Sequence, residues 1–251
     1  MKKLAIAIPV HGRFHIAKLV IESLQKHRQY WQKEIQIRIF LGTDQAFFKD
    51  MADELPWAIT AVEIKNNPLG EKFNKLCDAA AAWGDYFVLL GSDDILSPDY
   101  FLLAAEAIEL NKTWAALNQF YVTDVKTLET KYVRLDEGYI GGGILTRSES
   151  WKELRAKYGD IYPSDQDKSL DGQAFGRYAE HLGKCWVMNS FNALMLTVKS
   201  EENIWPFFMF QNFAPYEFLK LQDRFINSDI FAVEKYSNLL NSLEQYETEK
   251  P

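Results

Sequence analysis

Four short apolar runs divide the first ninety residues, and their placement limits the chain to few folds. Residues 4–10 are continuously apolar and close at Pro9 and Gly12, which reads as a strand buried on both faces. Residues 35–41 alternate and stop at Gly42, residues 58–64 form a weaker third run, and Tyr86-Phe87-Val88-Leu89-Leu90 is the fourth. Between them, Ile16, Leu19, Val20, Ile21 and Leu24 recur at helical spacing, as do Phe73, Leu76, Cys77 and Ala80. Strands alternating with helices imply right-handed crossovers and a mostly parallel sheet with helices on both faces, an α/β architecture. Ligands collect beyond the carboxyl ends of strands in such sheets, and residues 9–13, 42–44 and 93–94 all fall there.

The second half is less regular. The spacing predicts helices over 98–110, 148–158 and 171–182, with Ser97 as N-cap of the first and Pro98 at its first position. Residues 114–123 and 131–135 read as strands, as do 144–146 after Gly141-Gly142-Gly143, and 185–188. No linker or repeat interrupts the chain. It is therefore expected to form one domain over 1–188, with a helical, aromatic extension over 189–251 packed on it. That extension carries Trp205, Phe207, Phe208, Phe210, Phe213, Tyr216 and Phe218, suited to a core, an oligomer contact or stacking on sugar rings or bases.

Charge narrows the class of partner. With 28 Lys and Arg against 35 Asp and Glu, the net charge is −7, unfavourable for holding nucleic acid by bulk attraction. No run of about 18 apolar residues suggests a membrane span, and the apolar N-terminal run is too short for a signal peptide. Cys77 and Cys185 belong to no CxxC pair, so a reducing, cytoplasmic setting is expected. Walker, GxGxxG, GxSxG, HExxH and zinc-ligand patterns are missing, which disfavours kinases, dinucleotide dehydrogenases, serine hydrolases and zinc proteases.

The sharpest local signal is Gly91-Ser92-Asp93-Asp94, directly after an apolar strand. Adjacent carboxylates repel unless solvent or a cation compensates, and Mg²⁺ binds through one or two carboxylates plus substrate phosphates. The plain alternative is a solvated turn in which Asp94 or Ser97 caps the next helix. A second acidic group lies in Leu170-Asp171-Gly172-Gln173, with Asp165 and Asp167 in the loop before it.

Taken in order, Ile8-Pro9-Val10-His11-Gly12-Arg13, the stretch from Asn67 to Ala80, and Gly84-Asp85-Tyr86 leading into Gly91–Pro98 resemble the family 2-like, GT-A fold glycosyltransferases. The likeness spans roughly residues 3–188. It implies that Pro9, His11, Arg13 and Asp44 hold the base and ribose of a nucleotide-diphosphate sugar, with Lys72 or Asn74 near the base or diphosphate. It further implies that Asp93 approaches the ribose or sugar and that Asp94, with Asp93, ligates Mn²⁺ or Mg²⁺. Asp171 falls on the position of the base that deprotonates the acceptor, a task suited to a carboxylate. Gly141–Gly143 falls where small residues let donor and acceptor approach the backbone. Gly91, Leu170 and Gln173 stand where the family pattern has acids, and Leu41-Gly42-Thr43-Asp44 replaces its Asp-Asp-Gly-Ser-type run. The expected reaction is metal-dependent, inverting transfer to the hydroxyl of a glycan precursor or a modified nucleic-acid base. A sugar-phosphate nucleotidyltransferase and a non-catalytic nucleotide-sugar-binding protein are the alternatives. Arg147 and Arg177 are candidates for phosphate contacts or for structural pairs.

Overall fold

The computed structural model describes residues 1–12, 14–31, 35–46, 59–66, 68–124, 126–136, 138–167, 170–189, 194–199 and 207–216. Strands β1 (Lys2–Pro9), β2 (Ile35–Thr43), β3 (Ile59–Glu63) and β4 (Tyr86–Leu89) form at the four apolar runs. With β6 (Trp114–Leu117), β9 (Ile144–Arg147) and β10 (Trp186–Met188) they build a seven-stranded sheet, ordered β10-β6-β9-β4-β1-β2-β3. Strand β9 runs antiparallel to both its neighbours, β4 and β6, and the other pairs are parallel. The mostly parallel, helix-covered sheet expected from the sequence is the one found.

The β1 run divides its residues by size between two cores. Leu4, Ile6 and Ile8 face helix α1 (Phe14–Trp31), meeting Ile16, Val20 and Leu24, whereas Ala5 and Ala7 face α2 (Leu69–Trp83) and its Leu76, Cys77 and Ala80. Burying each large aliphatic side chain contributes about 1.5–3 kcal/mol, and the alanines let α2 lie close. Helix α3 (Pro98–Glu109) shares the α1 side and starts as expected, Tyr100 N–H donating to Ser97 Oγ at 3.3 Å. Helices α4 (Ser148–Tyr158) and α5 (Leu170–Leu182) join α2 on the other face through Trp151, Leu154, Ala174 and Tyr178.

A second sheet, ordered β12-β8-β7-β11-β5, consists of β5 (Asp94–Leu96), β7 (Gln119–Asp124), β8 (Thr130–Arg134), β11 (Met195–Lys199) and β12 (Ala214–Tyr216). Here the structure departs from expectation. The segment 114–123, read as one strand, is two strands that change sheets at Asn118, whose carbonyl accepts from Leu135 N–H at 2.8 Å. The polar pair Asn118-Gln119, set between two apolar stretches, was the available sign of the break. The described part of 189–251 is β11, a 3₁₀ turn at Phe207–Phe210 and β12. Of its aromatic side chains, Phe210 packs on Phe120 and Tyr216 on Tyr121 of the second sheet, while Phe208 is exposed; Trp205 and Phe218 lie outside the described residues. Among the described residues, no helix is long and apolar enough to cross a membrane.

Candidate active site

The parallel strands end on one edge of the first sheet, with Pro9 beside Gly42, and β9 starts on that edge with Ile144 beside Leu89. Two groups of polar residues gather there, one at the β1–β2 end and one at the β4–β9 end.

At the β1–β2 end, backbone and side chains tie the loops together. Gly12, at a φ of 58° that favours glycine, donates its N–H to Gln45 Oε1 at 2.9 Å. Asp44 accepts from Asn66 N–H at 3.3 Å and lies 3.5 Å from His11 Nδ1, on side chains 38% and 49% exposed. Burial works to raise the Asp44 carboxyl, but the Asn66 and Asp44 N–H groups, His11 and Lys72 outweigh it and hold it below the ordinary range. Lys72 rises from α2 beneath the loops, fully buried, and donates to the Val10 carbonyl at 2.8 Å and Asn66 Oδ1 at 3.0 Å. Burial lowers its ammonium to about 8, against the pull of Asp44. Pro9, His11, Asp44 and Lys72 thus come together; Arg13 lies outside the described residues.

Asn74 corrects an expectation. Two residues after Lys72, and so on roughly the opposite side of α2, it points into the loop before α5 rather than toward a ligand. Its Nδ2 donates to the Tyr162 carbonyl at 2.7 Å, and its Oδ1 accepts from Ile161 and Tyr162 N–H, each at 3.0 Å. The amide is spent on backbone, which makes Asn74 a clamp on the approach to Asp171. Other polar residues fasten the same loop. Asp167 Oδ1 accepts from Leu69 N–H at 2.7 Å at the start of α2, and Arg177 donates to the Ile161 carbonyl at 2.7 Å. Arg147 pairs in register with Tyr86, at the opposite edge of the sheet.

The β4–β9 end holds three carboxylates. Asp93 and Asp94, 8% and 7% exposed, follow β4 where the chain crosses into β5. Asp94 Oδ2 accepts from Gly91 N–H at 3.1 Å and Oδ1 from the Thr197 hydroxyl at 2.6 Å. Asp93 Oδ2 accepts from Lys199 Nζ at 3.1 Å. Burial, and after it the Asp93 charge, raise the Asp94 carboxyl to about 6, although Lys199, Thr197 and Gly91 oppose the shift. Asp171, in the first turn of α5, is raised by burial alone.

Two glycines bring the acids together. A Cβ on Gly142 would collide with the Asp94 carboxylate, and one on Gly141 with that of Asp171. Gly143, at φ 73°, fixes this turn by donating to the Leu89 carbonyl at 2.8 Å and accepting from the buried Tyr100 hydroxyl at 2.9 Å. Asp94 and Asp171 therefore press on adjacent backbone positions. Asp93 and Asp94 offer the one or two carboxylates that Mg²⁺ takes alongside phosphate oxygens, and a third His, Cys, Asp or Glu does not join them among the described residues. The donor set fits a hard divalent cation completed by a phosphate-bearing ligand. Lys199 and Thr197 had no place in the sequence reading, although the alternation Thr197-Val198-Lys199 at the end of an apolar run was the available signal.

No protein-family model and no curated protein matches the chain. Solved structures do. TarS from S. aureus, solved with UDP-GlcNAc, is 15% identical with a TM-score of 0.56, over 81% of this chain and 60% of that one. The catalytic domain of Drosophila β1,4-galactosyltransferase 7, solved with xylobiose, is 11% identical with a TM-score of 0.50, over 90% of this chain and 81% of that one. The 4-diphosphocytidyl-2C-methyl-D-erythritol synthase of Anaerococcus prevotii is 13% identical with a TM-score of 0.51, over 76% of this chain and 90% of that one. The chain thus spans about 60% of the TarS fragment that it matches. At these identities what is shared is architecture, a mixed α/β fold with a mostly parallel central sheet of the GT-A type.

Proposed function

We propose that this chain is a glycosyltransferase that moves a sugar from a nucleotide-diphosphate sugar to an acceptor hydroxyl with inversion. One observation carries the reading: Asp94 and Asp171 bear on the adjacent glycines 142 and 141, so a carboxylate suited to a diphosphate's cation sits beside one suited to accept a proton. The neighbours support the donor class, since TarS was solved with UDP-GlcNAc and with UDP. In this reading Pro9, His11, Asp44 and Lys72 shape the seat of base and ribose, and Asp93 and Asp94 hold Mn²⁺ or Mg²⁺ with the donor diphosphate. The bound cation would neutralise charge developing on the leaving diphosphate. Asp171 takes the acceptor's proton as its oxygen attacks the anomeric carbon, and the diphosphate departs with the electron pair of the broken C–O bond. Its raised pKa makes it a stronger base than an ordinary aspartate, and the bare backbone of Gly141–Gly142 leaves room for the two carboxylates themselves. A glycan precursor is the first candidate for acceptor, a modified nucleic-acid base the second. Free, buried Cys77 and Cys185 accord with a cytoplasmic setting.

The test is a thermal-shift and transfer screen of UDP-, GDP-, CMP- and dTDP-sugars with and without Mn²⁺. One donor should stabilise the protein, by several kcal/mol far above its Kd. Asp171→Asn should keep that shift while transfer falls by roughly 10²–10⁴-fold. If no nucleotide sugar shifts the melt, the reading is wrong; binding without turnover on any acceptor points to the non-catalytic alternative. The likeness to the diphosphocytidyl-methylerythritol synthase keeps a nucleotidyltransferase as second reading. That enzyme class releases pyrophosphate from a nucleoside triphosphate, so product analysis separates the two.

A further inference from the structure

Strand β11 lies between β5 and β7 and delivers two polar residues to two consecutive acids. Thr197 stands opposite Asp94 in the ladder, and Val198 N–H donates to the Asp93 carbonyl at 2.8 Å. Residues two apart on a strand share a face, so Thr197 and Lys199 both turn toward the acid pair. The hydroxyl of Thr197 reaches Asp94 at 2.6 Å, and the ammonium of Lys199 reaches Asp93 at 3.1 Å. The Lys199 and Asp93 side chains are only 11% and 12% exposed. An ion pair this enclosed is held by low-dielectric attraction, and either charge left alone would be strongly disfavoured.

A divalent cation and an ammonium cannot both sit on one carboxylate without repelling each other. We infer that Lys199 is a built-in counter-cation: it occupies Asp93 in the donor-free protein, and a divalent metal enters only as a diphosphate draws the ammonium from Asp93 onto its own oxygens. The inference rests on the nucleotide-diphosphate reading of the site. It makes metal and nucleotide binding mutually dependent, because a gain in affinity for one in the presence of the other must be reciprocated. It also gives the site an answer to its own acidity in the absence of ligand, with Lys199 compensating the pair that a metal would otherwise have to neutralise.

Mn²⁺ binding to the full chain, followed through the EPR signal of free Mn²⁺, tests this directly. Wild-type protein should take up Mn²⁺ at least tenfold more weakly than Lys199→Met when no nucleotide is present. Lys199→Arg keeps the cation and should behave as wild type. With saturating UDP, or whichever nucleoside diphosphate shifts the melt, wild type should gain at least tenfold in Mn²⁺ affinity after correction for Mn²⁺–nucleotide complexes in solution. Lys199→Met should gain less. Equal Mn²⁺ affinity of wild type and Lys199→Met without nucleotide overturns the inference. Should Lys199→Met fail to fold, the wild-type comparison still decides it: unchanged Mn²⁺ affinity with and without bound nucleotide is the contrary result. If no nucleoside diphosphate binds at all, the proposed function fails, while the nucleotide-free comparison continues to judge Lys199.

Discussion

The two ends of the candidate site differ in how they treat charge. At the β1–β2 end, Asp44 and His11 are half-exposed, and ordinary hydrogen bonds tie Gly12 to Gln45 and Asn66 to Asp44. At the β4–β9 end, Asp93 and Asp94 are buried, and Asp94 and Asp171 have raised carboxyl pKa values and lie against bare backbone. The first arrangement suits holding a ligand, because exposed partners exchange water for ligand at little cost. The second suits chemistry, because buried charge is costly at rest and responds strongly to a substrate that completes it. Binding and turnover should therefore separate by position along one sheet edge.

Gly142→Ala is the severest challenge to that division. Its Cβ must displace the Asp94 carboxylate, so transfer should fall by about 10²-fold or more while nucleotide affinity measured without divalent metal, which rests on the β1–β2 end, changes little. Equal losses of binding and turnover would merge the two ends into one. Asn74→Ala probes what supports the acid end from below. It leaves two backbone N–H groups and one carbonyl of the 161–162 segment without their partner, and should cost about 2–4 kcal/mol in a urea melt. Turnover of the folded variant should fall as well, since the clamped loop leads into Asp171.

Lys72 tests whether the binding end also carries uncompensated charge. Its folded-state pKa of about 8 lies below the 10.5 of the free side chain. Between those values the unfolded chain binds more protons, so this contribution to stability is present above 10.5 and is lost as pH falls through 8. Relative to Lys72→Met, wild type should gain up to ~3 kcal/mol between pH 7 and 10.5, read from urea melts at both ends of that range. A flat difference would place the Lys72 ammonium in a better-solvated site. His11→Ala should do least, changing stability by about 0.5 kcal/mol or less and nucleotide affinity a few-fold, with turnover at saturation unchanged.

The first sheet was legible because its signal is local. Apolar runs such as 4–10 and 86–90, closed by Pro9 and Gly91, are strands in any packing that buries both faces. The second sheet was not, because its members are short and far apart in sequence. Strand β5 has three residues beginning with an acid, and β11 pairs with it across about a hundred positions. The acids of the site were legible as residue types, and the structure sets Asp94 and Asp171 against the adjacent glycines 142 and 141. Their neighbours were harder to see. Asn74 and Asp167 have the chemistry of ligand contacts, but the structure uses them on backbone, which only the course of the 159–167 loop reveals. Lys199 shows only as the polar end of the alternation Thr197-Val198-Lys199, and it matters because β11 inserts beside β5.

That insertion also sets an order of assembly. As the chain is synthesised, Asp93 and Asp94 emerge with β4 and β5 about a hundred residues before Thr197 and Lys199. Domains fold as their segments become available, so β5 waits for β11 with an unpaired edge and two uncompensated acids. Closing β11 pairs that edge and gives each acid its partner, Lys199 for Asp93 and Thr197 for Asp94, in one step. Strands β1–β4 of the first sheet can form early; the part of the molecule able to receive a charged donor waits for β11.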